Sequence, residues 1–587
     1  MIDDGWITIV VLVATFGALV LDRYPPSAVV LSATVSLLVF DVINPSQAFA
    51  GFSNPAPITV AALFILAAGA QRTGLLSAVV GRLLGAPQRR GVAHARLLVP
   101  AALASAALNN TPLVAILIPD ILAWARRHRR NASRYLLPLS YAVILGGTLT
   151  VLGTSTNLVV SGLLEDAGEE PLRMFEMAKI GLPVFAVGML VLFSMSIPLL
   201  PNRVGAPEQL EASTKEFLVE MRVTHDRSVA GRTVEAAGLR GLTGVYLVRV
   251  RRDGRTIAPV APDERLEVGD VLAFAGDVSN VLDLQRMRGL EGLDNDTIAA
   301  MDVAGRGLYE VVVGRMSPVA GHRLRDSDFR GQYDAAVLAV HRAGHRIEEK
   351  LGDVRLRHGD TLVVVAGADF RSRWALAPDF LVVAELDAAV PTAGPKAPVV
   401  ALAMIGFVVF SSLGWVTTVE GSLLAAGAIV VTRVLTFSEA KRAIDVDVIL
   451  LIGAAFGLGA AVEQSGLAAE IADGFVGALG GYGTFGLALA IVLATSVLTE
   501  IITNNAAAVV VFPIALAIAG PAGIDIRIMA IAVATAASTS FLSPIGYQTN
   551  TMVYGPGGYR MSDYVRAGLP LTIAVQLTTA TMVTVLG

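Results

Sequence analysis

The chain has 587 residues, of which 54% are hydrophobic and 16% charged, and its mean hydropathy is +0.64. Soluble domains carry about 25% charged residues, so this composition excludes a soluble globular protein and indicates an integral membrane protein. The absence of cysteine excludes disulfides, thiolate metal sites and a cysteine nucleophile; the formal net charge is −4, and we expect no nucleic-acid partner.

Apolar runs long enough to cross a bilayer, which takes ~20 residues, lie on both sides of a polar block. The block covers residues 203–390 and is rich in Arg, Asp and Glu. The N-terminus lacks the basic region of a cleaved signal peptide, so we expect the first run to be a retained span. In chain order, spans are predicted near 6–22, 26–43, 56–72, 92–106, 135–163, 178–200, 396–411, 416–435, 446–463, 483–499, 527–553 and 567–586.

A short polar signature occurs once in each apolar half. Its first copy surrounds Asn110, in residues 108–112, and its second surrounds Asn504, in residues 502–506. Each copy leads into an apolar stretch that is too short to cross the bilayer comfortably, so both stretches are predicted to be arms of re-entrant hairpins. Paired interruptions in two halves of a membrane protein are the best sequence indication of a transporter's binding site.

The two halves also match elsewhere at almost the same spacing. Gln71–Leu75 resembles Glu463–Leu467, and Gly153–Leu158 resembles Gly546–Thr551. These matches predict a duplicated, inverted repeat. We place membrane repeat 1 in residues 1–202, with a hairpin near 105–124, and membrane repeat 2 in residues 393–587, with a hairpin near 499–519.

Positive charge sets the expected orientation, because short cytoplasmic loops carry an excess of Lys and Arg. Arg126, Arg127, Arg129 and Arg130 follow the first hairpin. We therefore predict that the first hairpin enters from the cytoplasm, that the second enters from the outer face, and that the polar block is cytoplasmic. The expected location is the cell inner (plasma) membrane, with lipid around the spans.

The polar block is itself a tandem repeat. One unit contains the strand Val245–Val250 and the turn at Gly269-Asp270; the other contains Ala335–Val340 and Gly359-Asp360. A Gly-Asp pair before a β-branched run is typical of a turn into a strand. We predict two small domains, in residues 203–295 and 296–392. The fold class is then an α-helical polytopic membrane protein with inverted repeats and two re-entrant hairpins, carrying inserted cytoplasmic tandem α+β domains.

The residues around both signatures are uncharged except for Glu500. Helix N-termini carry roughly +0.5 charge and unpaired N–H groups, which favour anions, whereas unwound carbonyls suit Na⁺. Gly153 and Gly546 permit that unwinding. A neutral lining that binds an anion together with Na⁺ avoids the desolvation cost of an unpaired Arg or Lys.

The hairpin pair resembles the divalent anion/sodium symporter family, within the ion-transporter superfamily of elevator transporters, and so do the segments Gly146–Asn157 and Ser543–Asn550. The resemblance covers residues 1–200 and 396–587. It implies a homodimer in which each protomer has a scaffold and a mobile transport domain. The family carries Ser-Asn-Thr twice, whereas this chain has Asn-Asn-Thr from residue 109 and Thr-Asn-Asn from residue 503.

Carried over by position, the resemblance implies two sodium sites and one anion site. The first sodium site would use Ser105, Asn109, Asn110 and Gly153, and the second Thr499, the Ile502 carbonyl, Asn504 and Gly546. The anion would lie near Asn110, Thr111, Thr154, Asn504, Asn505, Tyr547 and Gln548.

The inserted domains resemble the TrkA-C regulatory domains of potassium-transport RCK proteins. That resemblance implies regulation of transport and a small ligand such as a cyclic dinucleotide; reinforcement of the dimer alone is the alternative. Family members with such inserts are often assigned sulfate. Together these features favour sodium-coupled symport of a small divalent anion, sulfate first, by elevator-type alternating access.

Three other functions are open to a sequence of this kind. A dicarboxylate carrier would use the same site, and a proton-coupled anion exchanger would use Glu500. A potassium channel or gating protein is suggested by the inserts, but its filter needs TVGYG-like loops, and none occurs. An enzyme is not expected, because no nucleophile–base pair or metal set is recognisable.

Overall fold

The computed structural model describes most of both membrane halves and the strands of the polar block. Its described residues are 4–21, 24–75, 90–128, 130–200, 202–203, 218–240, 245–253, 255–276, 287, 289–292, 306–314, 317–342, 345–347, 349, 351–374, 377, 379–385 and 394–587. The predicted domain boundaries at 295, 296, 392 and 393, and Arg129 of the basic cluster, lie outside these residues.

The first membrane half is helical. Its short helices pack between longer ones, and a one-turn π-helix, Leu192–Ser196, interrupts its last helix. The helices are α1 Asp4–Leu21, α2 Pro26–Val39, α3 Pro45–Ala48, α4 Ala50–Ser53, α5 Pro55–Thr73, α6 Arg90–Ser105, α7 Asn110–Arg127, α8 Ser133–Gly147, α9 Ser155–Asp166, α10 Ala178–Val191 and α11 Ile197–Leu199.

The second membrane half, after the polar block, is also helical. Its helices are α12 Ala397–Ser412, α13 Thr418–Val431, α14 Phe437–Ala443, α15 Val446–Gln464, α16 Leu467–Leu479, α17 Gly483–Ile501, α18 Asn504–Ala522, α19 Ile526–Ser538, α20 Gln548–Tyr554 and α21 Met561–Leu586.

Six helices among the described residues are long and apolar enough to cross a membrane. They are Pro55–Thr73, Ala178–Leu199, Val446–Gln464, Gly483–Ile501, Asn504–Ala522 and Met561–Leu586. Seven shorter apolar helices accompany them. The chain is therefore a mostly helical, polytopic membrane protein.

Two sequence expectations about the helices are corrected. The spans predicted at 135–163 and 527–553 are each two helices, because the chain unwinds at residues 148–154 and 539–547. The second predicted arm was judged too short to cross, yet α18 has 19 residues and is apolar enough to span. Length is therefore no argument that this arm re-enters, and re-entrance stays a prediction.

The polar block forms two five-stranded antiparallel sheets, which we call the first and second modules. The predicted strands and the turns at both Gly-Asp pairs are present. The strands of the two sheets are hydrogen-bonded to one another in the same order. The first module contains β1 Leu218–Val223, β2 Val245–Arg252, β3 Arg255–Ile257, β4 Val271–Gly276 and β5 Leu290–Gly292. The second contains β6 Arg306–Val313, β7 Ala335–Arg342, β8 His345–Arg346, β9 Thr361–Gly367 and β10 Phe380–Glu385, with the short helices Phe329–Tyr333 and Phe370–Trp374.

Each Gly-Asp turn is held by a buried ion pair. Arg252 donates to both carboxylate oxygens of Asp270, at 2.9 and 2.8 Å, and Arg342 does the same to Asp360, at 2.7 Å twice. Both aspartates are 1% exposed. The modules are joined where Arg330 donates to the Val260 carbonyl at 2.7 Å.

The second module packs directly on the membrane helices. Strand β10 contacts α7, and Val312, Val382 and Ala384 belong to the same hydrophobic cluster as the membrane core. On the second membrane half, Thr361 lies against Gly555, which directly follows α20. This module therefore touches helices of both halves.

An ion pair also joins the two membrane halves directly. Arg527, at the start of α19, donates to both carboxylate oxygens of Glu176, at 2.9 and 2.6 Å. The Arg527 hydrogen bonds lower the pKa of Glu176 to about 2. The side chains are 21% and 9% exposed, so water screens the pair only weakly.

We predict that Glu176→Gln lowers the free energy of unfolding by about 1–3 kcal/mol at pH 7, because a charged hydrogen-bonded pair is lost. The pKa of Glu176 is lower in the folded protein than in the unfolded chain, so its contribution is complete above about pH 4.5. It should disappear as the pH falls toward 2. Thermal unfolding in detergent at several pH values measures this difference.

The matched control is Glu170→Gln. Its carboxylate pairs with Arg173 at 3.8 Å, and both side chains are at least 80% exposed. An exposed pair contributes about 0–1 kcal/mol, so the control should be nearly silent. Equal effects of the two substitutions would contradict the assignment.

Candidate functional site

Two breaks in the helices form the framework of the site. The first break, residues 148–154, separates α8 from α9; the second, residues 539–547, separates α19 from α20. Asn157 donates from its side chain to the Gly147 and Thr150 carbonyls, at 3.0 and 2.8 Å. Such bonds replace those that the unwound backbone has lost, which is necessary where water is scarce.

The second break is held in the same way. Asn550 donates to the Ser540 and Ser543 carbonyls at 3.0 and 3.1 Å. The second break has an additional anchor, since one oxygen of Glu500 accepts the N–H groups of Phe541 and Leu542 at 2.9 Å each. Glu500 therefore positions the second break. From the sequence, Glu500 could be a proton carrier, a member of a cation site or a residue at an exposed hairpin base.

The first predicted sodium site comes together around Asn110. Its side-chain amide contacts Ser105 Oγ and lies 3.1 Å from the Gly153 carbonyl and 3.2 Å from the Val143 carbonyl. Ser105 itself donates to the Val143 carbonyl at 2.8 Å. Asn109 is placed differently, because its amide oxygen accepts the Thr111 N–H at 3.4 Å.

The second predicted sodium site has the same plan. Thr499 Oγ1 lies 3.0 Å from Asn504 Oδ1 and donates to the Ala537 carbonyl at 2.7 Å. A Cβ atom on Gly546 would be 2.9 Å from the Thr499 carbonyl. Ile502 lies in the extended link between α17 and α18. The carbonyls of Val143 and Ala537, which occupy matching positions, were missed because nothing in a side chain marks a carbonyl.

The predicted anion residues form a polar cluster that crosses between the halves. The buried Tyr547 hydroxyl contacts the Asn110 amide at 2.6 Å and donates to Thr154 Oγ1 at 3.2 Å. Thr111 donates to Gln548 Oε1 at 3.3 Å. First-half residues thus contact second-half residues at the start of α7.

A second crossing contact involves Asn505, near the start of α18. Its side-chain oxygen accepts from Thr156 at 2.9 Å and from Ser155 at 3.3 Å. Ser155 and Thr156 were not predicted, although they directly follow Thr154. The starts of α7, α9, α18 and α20 are therefore linked through hydrogen-bonding side chains.

The chemistry of the cluster suits an anion with an alkali cation. The helix starts present partial positive charge, and the breaks present amide, hydroxyl and carbonyl oxygens. Within the described residues, no group of three or more His, Asp or Glu could hold a metal ion such as zinc. Neutral oxygens such as those of Ser105, Asn110 and Gly153 fit Na⁺, and its role would be to supply positive charge beside the anion.

Both glycines of the breaks are constrained by close contacts. A Cβ on Gly153 would lie 2.4 Å from the Gly147 carbonyl, and one on Gly546 would lie 2.2 Å from Ser540 Oγ. We expect Gly153→Ala and Gly546→Ala to displace the breaks, to lower the thermal unfolding midpoint and to remove any stabilisation by NaCl over choline chloride.

Gly474→Ala is the matched control for these glycine variants. It lies in α16 and a Cβ there meets nothing within 4 Å. Alanine in a helix is favoured over glycine by roughly 0.5–1 kcal/mol, so this variant should be no less stable than the wild type. Wild-type stabilisation by NaCl in the two break variants would contradict the site.

Comparison with known proteins adds evidence that is independent of this geometry. The family model described as citrate transporter matches residues 16–537. A protein of Chlamydomonas reinhardtii named as a sulfur deprivation response regulator is 36% identical over 93% of this chain and 96% of its own length. An uncharacterised transporter of Synechocystis is 33% identical, over 98% and 96% respectively. Sodium/sulfate cotransporter 2 of Chlamydomonas reinhardtii is 25% identical, over 97% and 88%.

These matches point to a transporter and not to an enzyme. They support the predicted resemblance at the level of the ion-transporter superfamily and name a different family within it. The match covers most of the chain, including the polar block. The chain belongs to the citrate transporter family.

Proposed function

We propose that the protein is a sodium-coupled symporter of a small divalent anion, with sulfate as the first candidate. The observation that carries this proposal is the contact of Asn110 with Tyr547, because it places a predicted cation residue beside predicted anion residues. The relatives named as sodium/sulfate cotransporters support both the ion and the anion. Citrate and dicarboxylates are the alternative substrates, since the family model is described as citrate transporter.

The transport cycle is proposed to be of the elevator type, in a homodimer. The duplicated breaks support an inverted repeat, and the links between helix starts would let the site move as one body. The proposed setting is the plasma membrane, with the first hairpin and both modules on the cytoplasmic side. Arg127 ends α7, the helix that the second module contacts, which fits the positive-inside rule.

We expect labelled sulfate to enter proteoliposomes only with an inward Na⁺ gradient, and more rapidly than succinate or citrate. Asn110→Ala and Asn504→Ala should each reduce that uptake at least about tenfold, since each removes a side chain shared by the site. Asn131→Ala is the control, because Asn131 follows α7 at the end remote from the site. Sodium-independent uptake of all three anions would refute sodium coupling, and wild-type uptake by either variant would refute the site.

Regulation by the modules is proposed to act through the contact of the second module with α7 and α20. In the second module, the sheet face that points away from the module's own core is buried, although it carries Glu310, His341 and Thr361. At the corresponding positions the first module carries Glu220, Arg251 and Val271, and Arg222 stands where the second module has Val312.

The position of this contact explains how it would act. Helices α7 and α20 both start at the proposed site, at Asn110 and Gln548, and both are held by the second module farther along the chain. A small ligand such as a cyclic dinucleotide, bound to a TrkA-C-like module, would then loosen or tighten the helices. Only eleven residues separate β10 from α12, so the module is also tethered to the second half.

The double variant Thr361→Cys, Gly555→Cys tests this restraint in a chain without other cysteines. A Cβ on Gly555 would lie 3.0 Å from the Thr361 Cβ, so a small separation of the two segments brings the pair into the 3.5–4.5 Å typical of a disulfide. We expect oxidation to reduce uptake several-fold and reductant to restore it, because the module would be fixed to the helices. The single variants are the controls, and an oxidised double variant that transports at the reduced rate would refute the restraint.

A further inference from the structure

The side-chain amide of Asn110 faces the sodium site with one end and the anion cluster with the other. One end lies among Ser105 Oγ, the Gly153 carbonyl and the Val143 carbonyl. The other end lies 2.6 Å from the Tyr547 hydroxyl. An amide has a donor end and an acceptor end. The orientation of this one side chain therefore determines whether each site meets its oxygen or its N–H groups.

Without a cation, the hydrogen bonds select one orientation. With nitrogen toward the break, the two amide hydrogens face three acceptors, which are the Gly153 carbonyl at 3.1 Å, the Val143 carbonyl at 3.2 Å and Ser105 Oγ. The amide oxygen then accepts from the Tyr547 hydroxyl at 2.6 Å, and in this orientation Thr154 Oγ1, 3.2 Å from that hydroxyl, is the donor to it. The anion cluster therefore meets a carbonyl oxygen, which repels an anion.

Rotation of the amide by half a turn reverses both ends. The oxygen then joins two carbonyl oxygens and a hydroxyl, and Ser105 is the one member of this set with a proton to donate. Such a group of oxygens is unfavourable when empty and favourable around Na⁺. The nitrogen now points to Tyr547, and the anion cluster meets an N–H donor.

We propose that Na⁺ at the first site rotates the Asn110 amide, and that this rotation converts the anion cluster from repelling to attracting. The inference rests on the proposed sodium-coupled function and supplies its coupling step. The change from an acceptor to a donor toward an anion should strengthen sulfate binding at least about tenfold, since a hydrogen bond to a charged group contributes about 1.5–3 kcal/mol. By linkage, sulfate must strengthen Na⁺ binding by the same factor.

The second site has the same inner contacts. Asn504 Oδ1 lies 3.0 Å from Thr499 Oγ1, whose hydroxyl donates to the Ala537 carbonyl at 2.7 Å. The contact with Tyr547, on which the proposed coupling rests, belongs to Asn110.

Solid-state NMR of the whole protein in lipid tests the rotation directly. With ¹⁵N in asparagine side chains and ¹³C at the hydroxyl-bearing carbon of tyrosine, a contact between the two should be several-fold stronger in NaCl than in choline chloride. Tyr547→Phe identifies the signal, because it removes this pair. The same contact strength in both salts would overturn the proposal.

Asn110→Asp gives a second test, read by binding. A carboxylate presents oxygen to both sides, so stabilisation by NaCl should persist while sulfate binding in NaCl falls at least about tenfold. Asn44→Asp is the control, because Asp can replace Asn44 as the cap of α3. Sulfate binding by Asn110→Asp at wild-type strength would overturn the proposal. If wild-type protein binds sulfate equally in both salts, sodium coupling itself fails, and that outcome is distinguishable from loss in the variant alone.

Discussion

The membrane halves depend on one constraint, which is that a helix broken inside an apolar protein must find new partners for its backbone. Asn157 and Asn550 each supply two hydrogen bonds to freed carbonyls, at matching positions of the two breaks. These side chains satisfy the carbonyls that they contact. Another carbonyl of the first break, that of Gly153, faces the site. Polarity is thereby created at a depth where a charged side chain would be costly.

The two membrane halves contain similar breaks, and the breaks differ in what anchors them. The second break has Glu500 bound to two backbone N–H groups, whereas Ala106 occupies the matching position of the first half. The modules differ too, since one sheet face has Val312 against the membrane helices while the matching position of its counterpart is Arg222. In both cases two similar parts of the chain differ at a few positions, and the proposed functions depend on those differences.

The sequence could predict those parts of the site that depend on local residue chemistry. The signatures around Asn110 and Asn504, the unwinding at Gly153 and Gly546 and the strands after each Gly-Asp pair all follow from residues close in the chain. The contact of Asn505 with Thr156 could not be predicted, because it depends on how two halves separated by the whole polar block interlock. The anchoring role of Glu500 could not be predicted either, since its backbone partners Phe541 and Leu542 are brought near by the second break.

Burial of the second module's outer face was missed for a related reason. Strands β6 and β7 carry Glu310 and His341 on this face and alternate as strands with one side in water do, yet both residues are buried. The face is covered by α7 and by residues after α20, and no pattern within the module indicates this partner surface. Likewise, the second arm was predicted from the apolar run 506–519, whereas α18 covers Asn504–Ala522 and includes Pro513 and Pro521.

The energetics of moving a divalent anion bring these features together. Carrying two negative charges across 100 mV costs about 4.6 kcal/mol, and two Na⁺ ions cancel that term. Cancellation is useful only if the ions are bound whenever the anion is, since a lone dianion in a site without Arg or Lys has no counter-charge. A side chain that contacts both sites can enforce this order more directly than distant charges can. In the proposed cycle Asn110 is that side chain, and it lies at the start of α7, the helix that β10 of the second module contacts.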